Sequence, residues 1–293
     1  MKSAKVRGGI RKSRSQWDEA WRRLKKNKFA MAGLLVLILM ILLSIFAGLI
    51  VDYEKDVILQ NLGNRLQQPS KEHIFGTDSF GRDIFARVLY GSRVSLFIGL
   101  FVTIASMIIG STFGAIAGYF GGLADNLIMR ITDMFLAIPS ILMAIAVVAA
   151  LGPGLVNLII AMTISFIPPY ARLMRSLVLS IKDNEYIEAA KAIGARVDRI
   201  LITHILPNVM GPLIVQSTLT VGRIIIIAAG LSFLGLGVMP PNPEWGAMLS
   251  EGKEYIRYSP YLVLFPGLAI MLVVLSLNLL GDGLNDALDP RLK

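Results

Sequence analysis

Three groups of residues in this sequence have types and spacing that could do chemistry or mechanical work. Gln216, Thr220 and Arg223 follow an i, i+4, i+7 pattern inside a long apolar stretch, which puts an amide, a hydroxyl and a guanidinium on one helix face. A cation at mid-bilayer costs about 2.5–3.5 kcal/mol on insertion scales, so it normally faces a bundle interior or water, is paired, and marks a pathway. Glu188, Ala189, Ala190 and Gly194 stand in a short polar segment. Small residues there let a partner's backbone or aromatic side chain approach closely, and the glycine permits a sharp reversal. Arg130 and Asp133, at i, i+3, are expected to neutralise each other as a structural ion pair. Other reagents are scarce: there is no Cys, and the two His, His73 and His204, lie far apart, so no metal site is expected. The chain contains no G-x-x-x-x-G-K-S/T phosphate cradle and no H-E-x-x-H pair. No catalytic residue is therefore assigned, and a membrane-embedded enzyme is disfavoured.

The elements that must position these residues follow from apolarity. A chain of 293 residues with 55% hydrophobic and 17% charged residues, and a mean hydropathy of +0.65, is too apolar for an ordinary soluble domain. Its 29 Lys and Arg against 20 Asp and Glu give +9, which on so apolar a chain points to a membrane surface before nucleic acid. About 20 apolar residues at 1.5 Å each cover the ~30 Å hydrocarbon layer. Runs without Asp, Glu, Lys or Arg cover 29–51, 94–123 and 134–171. The last is too long for one crossing, and Gly152-Pro153-Gly154 divides it into two helices joined by a tight hairpin. The stretch 210–238, interrupted only by Arg223, and the run 258–281 complete six expected crossings of an all-α integral membrane fold. The first run exceeds a signal-peptide core and is expected to stay as an anchor.

Orientation follows from charge. The arm 1–28 carries eleven cations (Lys2, Lys5, Arg7, Arg11, Lys12, Arg14, Arg22, Arg23, Lys25, Lys26 and Lys28) against Asp18 and Glu19, which places it in the cytoplasm. Six crossings return the tail 282–293 to that side. Within the five-helix core 94–281, the segment 181–207 is then cytoplasmic as well. The loop 52–93 falls outside, and its second half, with Arg82, Arg87 and Arg93 interleaved among apolar residues, is expected to lie flat as an interfacial helix.

In the cytoplasmic segment Tyr186, Ala189, Ala190 and Ile193 share one helix face. Asp183 or Asn184 can cap its start, and Gly194 can end it in a left-handed conformation. Val197, Ile200, Leu201, His204 and Ile205 repeat the spacing on a second short helix, which Pro207 is expected to stop.

Glu188-Ala189-Ala190, Gly194 four residues on, and Leu206-Pro207 resemble the EAA motif of ABC importer permeases. His204 followed by Leu206-Pro207-Asn208 is similar to the peptide and nickel branch of that family. The same branch is echoed by Phe75-Gly76-Thr77-Asp78 with Gly81-Arg82-Asp83, by Asp125, Met129-Arg130, Asp133 and Pro139, by Leu231-Ser232-Phe233-Leu234-Gly235, by Trp245-Gly246, and by Gly281-Asp282-Gly283 through Asp289-Pro290. The resemblance covers roughly residues 15–293 and suits the shorter of two permease subunits of a di- or oligopeptide importer, with a nickel or nickel-chelate importer as the alternative. A self-contained channel or secondary carrier would have no use for the docking segment.

What the resemblance implies is a type I importer-like permease fold whose Glu188, Ala189, Ala190, Gly194, His204, Leu206 and Pro207 couple to ATPases. It also implies a second homologous permease, two cytoplasmic ATPase subunits holding ATP and Mg, an extracytoplasmic binding protein, and a bacterial or archaeal plasma membrane. Gln216, Thr220 and Arg223 are expected along the translocation path. Arg223 departs from the family, where a small residue is usual, and Ala228 stands where a Glu is common. Its expected partner is a carboxylate of the second permease or of the substrate.

Overall fold

The computed structural model describes residues 16–288, and all described regular elements are helical. The basic residues before Gln16 and the Asp289-Pro290 pair lie outside the described residues. A short amphipathic helix, α1 (Gln16–Leu24), precedes α2 (Lys28–Ile45), whose first turn is capped by the Asn27 side chain accepting from the Phe29 and Ala30 amides. A single turn, α3 (Ala47–Ile50), closes that span. There follow α4 (Ile84–Phe120), α5 (Gly122–Leu136), α6 (Ser140–Leu151) and α7 (Leu155–Ile181). Next come α8 (Glu185–Ala192), α9 (Val197–Arg199), α10 (Leu206–Phe233), α11 (Trp245–Gly252) and α12 (Tyr261–Leu288).

Five helical stretches are long and apolar enough to cross a membrane, and α5 with α6, bent by 87° at Ala137–Pro139, makes a broken sixth. Gly152 (φ +89°) and Gly154 (φ +141°) take backbone conformations that side-chain-bearing residues avoid, so the expected hairpin between α6 and α7 forms. The Asn157 amide donates to the carbonyls of Leu151 and Gly152, closing it.

The tightest contact joins α4 and α7, which run parallel. A Cβ on Gly110 would sit 2.5 Å from the Ile167 carbonyl oxygen, one on Gly118 2.9 Å from the Val178 Cβ, and one on Gly114 against the Ala171 carbonyl. Without a hydrophobic force between helices in lipid, such backbone approach is what packing energy consists of. The antiparallel α2 and α12 approach in the same way at Gly33 and Gly283.

These directions sort the loops. One end of the bundle holds α1, the α4–α5 turn, the segment 182–205 and the end of α12; the other holds 51–83 and 234–260. Most of α2 presents Leu35, Ile38, Leu39 and Leu42 outward, an apolar belt that suits lipid and not water.

The structure replaces the expected interfacial helix over 83–93. Asp83 instead caps α4, its carboxylate accepting from the Ala86 amide at 2.9 Å, and the helix runs unbroken from there. Arg82 and Arg87 are buried, not spread at headgroups, because carboxylates within the protein neutralise them. Arg93 donates to the Ser44 and Ile45 carbonyls, answering the unpaired acceptors at the end of α2.

The α4–α7 contact yields a direct test. Gly114→Leu drives a side chain into the Ala171 backbone and is expected to destabilise the fold by about 1–3 kcal/mol. The check is a lower Tm of the detergent-solubilised protein, with Gly230→Ala, a helical position where nothing lies within 4 Å, as the comparison for a glycine lost without a clash.

Candidate functional site

The segment after α7 is built as a rigid element. Asn184 occupies the cap position of α8, but its carbonyl, not its side chain, receives the Ile187 and Glu188 amides. Gly194, at φ +77°, ends the helix: its amide donates to the Lys191 carbonyl and the Ala195 amide to the Ala190 carbonyl, the paired bonds of a Schellman motif. The chain then re-enters helix at α9, widens into a π-helical stretch at Ile200–Ile205, and passes into α10.

Pro207 therefore does not stop the second helix. The Leu206 amide bonds back to Leu201, five residues earlier, and Pro207 falls in the first turn of α10, where a missing amide is tolerated. Val197 to Phe233 is one continuous helical path.

The face expected to meet a partner is divided. Ala190 is only 5% exposed and, with Ile187, seats α8 against the π-helical stretch; both belong to one buried cluster with Ile200 and Ile205 of that stretch, Tyr170, Met174 and Val178 of α7, and Val209 and Leu213 of α10. The outward apolar face is Tyr186, Ala189 and Ile193, the last 85% exposed, with Glu188 beside it. Leu206 packs on the same inner cluster, His204 is half-buried, and Pro207 is exposed.

The helix α10 packs against α4, α7, α11 and α12, leaving one strip uncovered that includes Pro212, Arg223 and Ile226, with Gln216 half-buried. The Gln216 amide nitrogen donates to the Thr220 hydroxyl at 3.3 Å, and Thr220 is 4% exposed, so it anchors Gln216 and does not itself line the strip. Behind it the Tyr170 hydroxyl meets Ser217 at 3.1 Å. Arg223 is exposed about 15 Å from the Phe233 end of the helix, and no carboxylate among the described residues pairs with it.

The expected pair of Arg130 with Asp133 is not formed. Asp133 instead bonds Arg172 of α7 at 2.5 Å, and Asp125 takes a two-pronged bond from Arg175 at 2.5 and 2.6 Å. The break before Ser140 sets α5 across α7, where arginines from the facing helix reach both carboxylates with better geometry than an i, i+3 neighbour has.

A cluster of charge at the opposite end escaped sequence reasoning. Arg82 bonds Asp78 at 2.7 Å and Glu251 at 2.8 Å, while Arg87 bonds Glu251 at 3.0 Å and lies 3.5 Å from Asp78. Arg87 also reaches the Val57 carbonyl, so loop, α4 and α11 are fastened together. Glu244 caps α11 and accepts from Ser95, and the Trp245 indole donates to the Val88 carbonyl. Asp78, Arg82 and Arg87 are close in sequence, but Glu251 is 169 residues from Arg82, and nothing local announces it.

Residues 110–293 match a family described as the binding-protein-dependent transport system inner membrane component, and residues 15–69 match the N-terminal transmembrane domain of oligopeptide transport permease C. The chain is 53% identical over 279 residues to the dipeptide transport system permease protein DppC of Alkalihalophilus pseudofirmus, covering 95% of this chain and 91% of that one. It is 47% identical over 281 residues to the glutathione transport system permease protein GsiD of Pectobacterium atrosepticum, covering 96% and 93%. Among solved structures, an inward-facing MetNI methionine ABC transporter chain matches with a TM-score of 0.57 at 20% identity, covering 70% of this chain and 98% of that chain.

The buried charges make a prediction about stability. Glu251→Ala leaves two buried guanidiniums sharing one carboxylate and is expected to cost ~3–5 kcal/mol. Thermal unfolding in detergent should show a large fall in Tm, with Glu251→Asp recovering part of it.

Proposed function

Because the chain belongs to the binding-protein-dependent inner membrane component family and is a multi-pass permease subunit of an ABC importer, we propose that it passes di- or oligopeptides by alternating access driven through α8. The two relatives above, named for dipeptide and glutathione transport, support a peptide substrate. ATP and Mg belong to two cytoplasmic ATPase subunits, a second homologous permease completes the gate, and a binding protein delivers substrate at the opposite face. Both chain ends and the segment 181–207 face the cytoplasm; the placement of α1, α8 and the end of α12 at one end of the bundle supports this, together with the basic arm.

The observation that carries the reading is the two-faced burial of α8. Tyr186, Ala189 and Ile193 offer an apolar surface of small area to a partner, with Glu188 at its rim, while Ile187 and Ala190 seat the same helix against the π-helical stretch Ile200–Ile205, in a buried cluster shared with α7 and α10. A push on the outer face is therefore delivered through that stretch to α10 and through the shared cluster to α7. The continuous path from Val197 into α10 carries that push, with His204, Leu206 and Pro207 at the junction of the π-helical stretch and α10. Gly194 sets the angle between the two. Gln216 and Arg223 line the path that opens as α10 moves, and Thr220 holds Gln216 in place.

The exposed position of Ile193 makes the coupling testable without unfolding the permease. Ile193→Asp is expected to reduce ATP-driven uptake at least tenfold and to release the ATPase subunits on purification, while the Tm of the isolated permease stays unchanged. Retained ATPase binding and full uptake would contradict the docking role.

A further inference from the structure

A cation exposed on the uncovered strip of α10, deep within the span, is not a surface charge in the ordinary sense. Lipid cannot satisfy it, and none of the carboxylates of the described residues reaches it: Asp125 and Asp133 are taken by Arg175 and Arg172, and Asp78 and Glu251 by Arg82 and Arg87. Its counter-charge comes from outside the described chain.

The strip carries a second polar group of complementary kind. Gln216 lies seven residues before Arg223, about 10 Å along the helix and on the same side. Its amide nitrogen is committed to Thr220, which leaves its carbonyl oxygen as an open acceptor. Thr220 is buried and fixed beside Tyr170 and Ser217, so this orientation is held from behind. A guanidinium and an oriented acceptor at that spacing match the two ends of a short zwitterionic peptide.

We infer that Arg223 and Gln216 form a transient substrate subsite in the translocation path, with Arg223 receiving the C-terminal carboxylate of the peptide and the Gln216 carbonyl oxygen receiving its ammonium group. This rests on the importer reading given above and adds to it the chemical class recognised by this chain itself. Arg223 takes a carboxylate through a planar two-pronged fork, which a lysine reproduces only as a point charge. The same carboxylate chemistry could be supplied by an Asp or Glu of the second permease, and the experiment separates the two sources.

The complete complex, with both permeases, the ATPases and the binding protein, is reconstituted in vesicles, and ATP-driven uptake of radiolabelled alanyl-alanine is measured. Arg223→Gln is expected to lower uptake at least tenfold, Arg223→Lys to retain at least a third of it, and Gln216→Leu to lower it severalfold, with the Tm and subunit ratio of each complex unchanged. Uptake within twofold of wild type for Arg223→Gln overturns the subsite. A fall in uptake that comes with a lower Tm or loss of the second permease assigns the carboxylate to that subunit and overturns the substrate assignment. A wild-type complex that moves no dipeptide overturns the peptide reading and the subsite with it.

Discussion

A charge inside or beside a bilayer has to be met by an opposite charge, by oriented backbone dipoles or by water, and the arrangement of this bundle follows from that requirement. Buried Arg82, just before α4, and Arg87, in its first turn, would be prohibitively placed without Asp78 and Glu251, so the loop before α4 and the helix α11 are drawn together around them. Arg93 ends on the carbonyls that finish α2. Asp125 and Asp133 pin the bent α5 to α7 through Arg175 and Arg172. The bonds to Glu251, to the end of α2 and between α5 and α7 join elements far apart in sequence, so satisfying charge also sets tertiary structure.

The same economy explains the mechanical design. The buried cluster that holds α8 also takes in Tyr170, Met174 and Val178 of α7 and Val209 and Leu213 of α10; α7 is locked to α4 along three glycines, and α10 lies against α4, α7, α11 and α12. Motion imposed at α8 is thereby shared by a rigid pair on one side and by the helix bearing Gln216 and Arg223 on the other. Interiors packed this closely shift as bodies and do not deform continuously.

Much of this was legible in the sequence, for reasons that can be named. Apolar runs gave the crossings, Gly152-Pro153-Gly154 its hairpin, and Gly194 its left-handed stop, since each is a local preference that no distant contact overrides. Helical spacing also placed Tyr186, Ala189, Ala190 and Ile193 together, but periodicity does not say where the core lies, and Ala190 turned inward. Pro207 misled because a π-helical stretch before it absorbs the missing amide. The partners of Asp133 and Arg82 were beyond reach: Arg172 is 39 residues away and Glu251 169, and spacing rules describe only neighbours along one helix.

Coupling through α8 requires that this helix face the cell interior. The chain has no cysteine, so single thiols can be introduced without background at exposed residues of the two ends, Asp183→Cys beside α8 and Lys71→Cys in the opposite loop. A membrane-impermeant maleimide applied to intact spheroplasts is predicted to label Lys71→Cys at once and Asp183→Cys only after permeabilisation. Labelling of Asp183→Cys in intact spheroplasts, with Lys71→Cys protected, would contradict it.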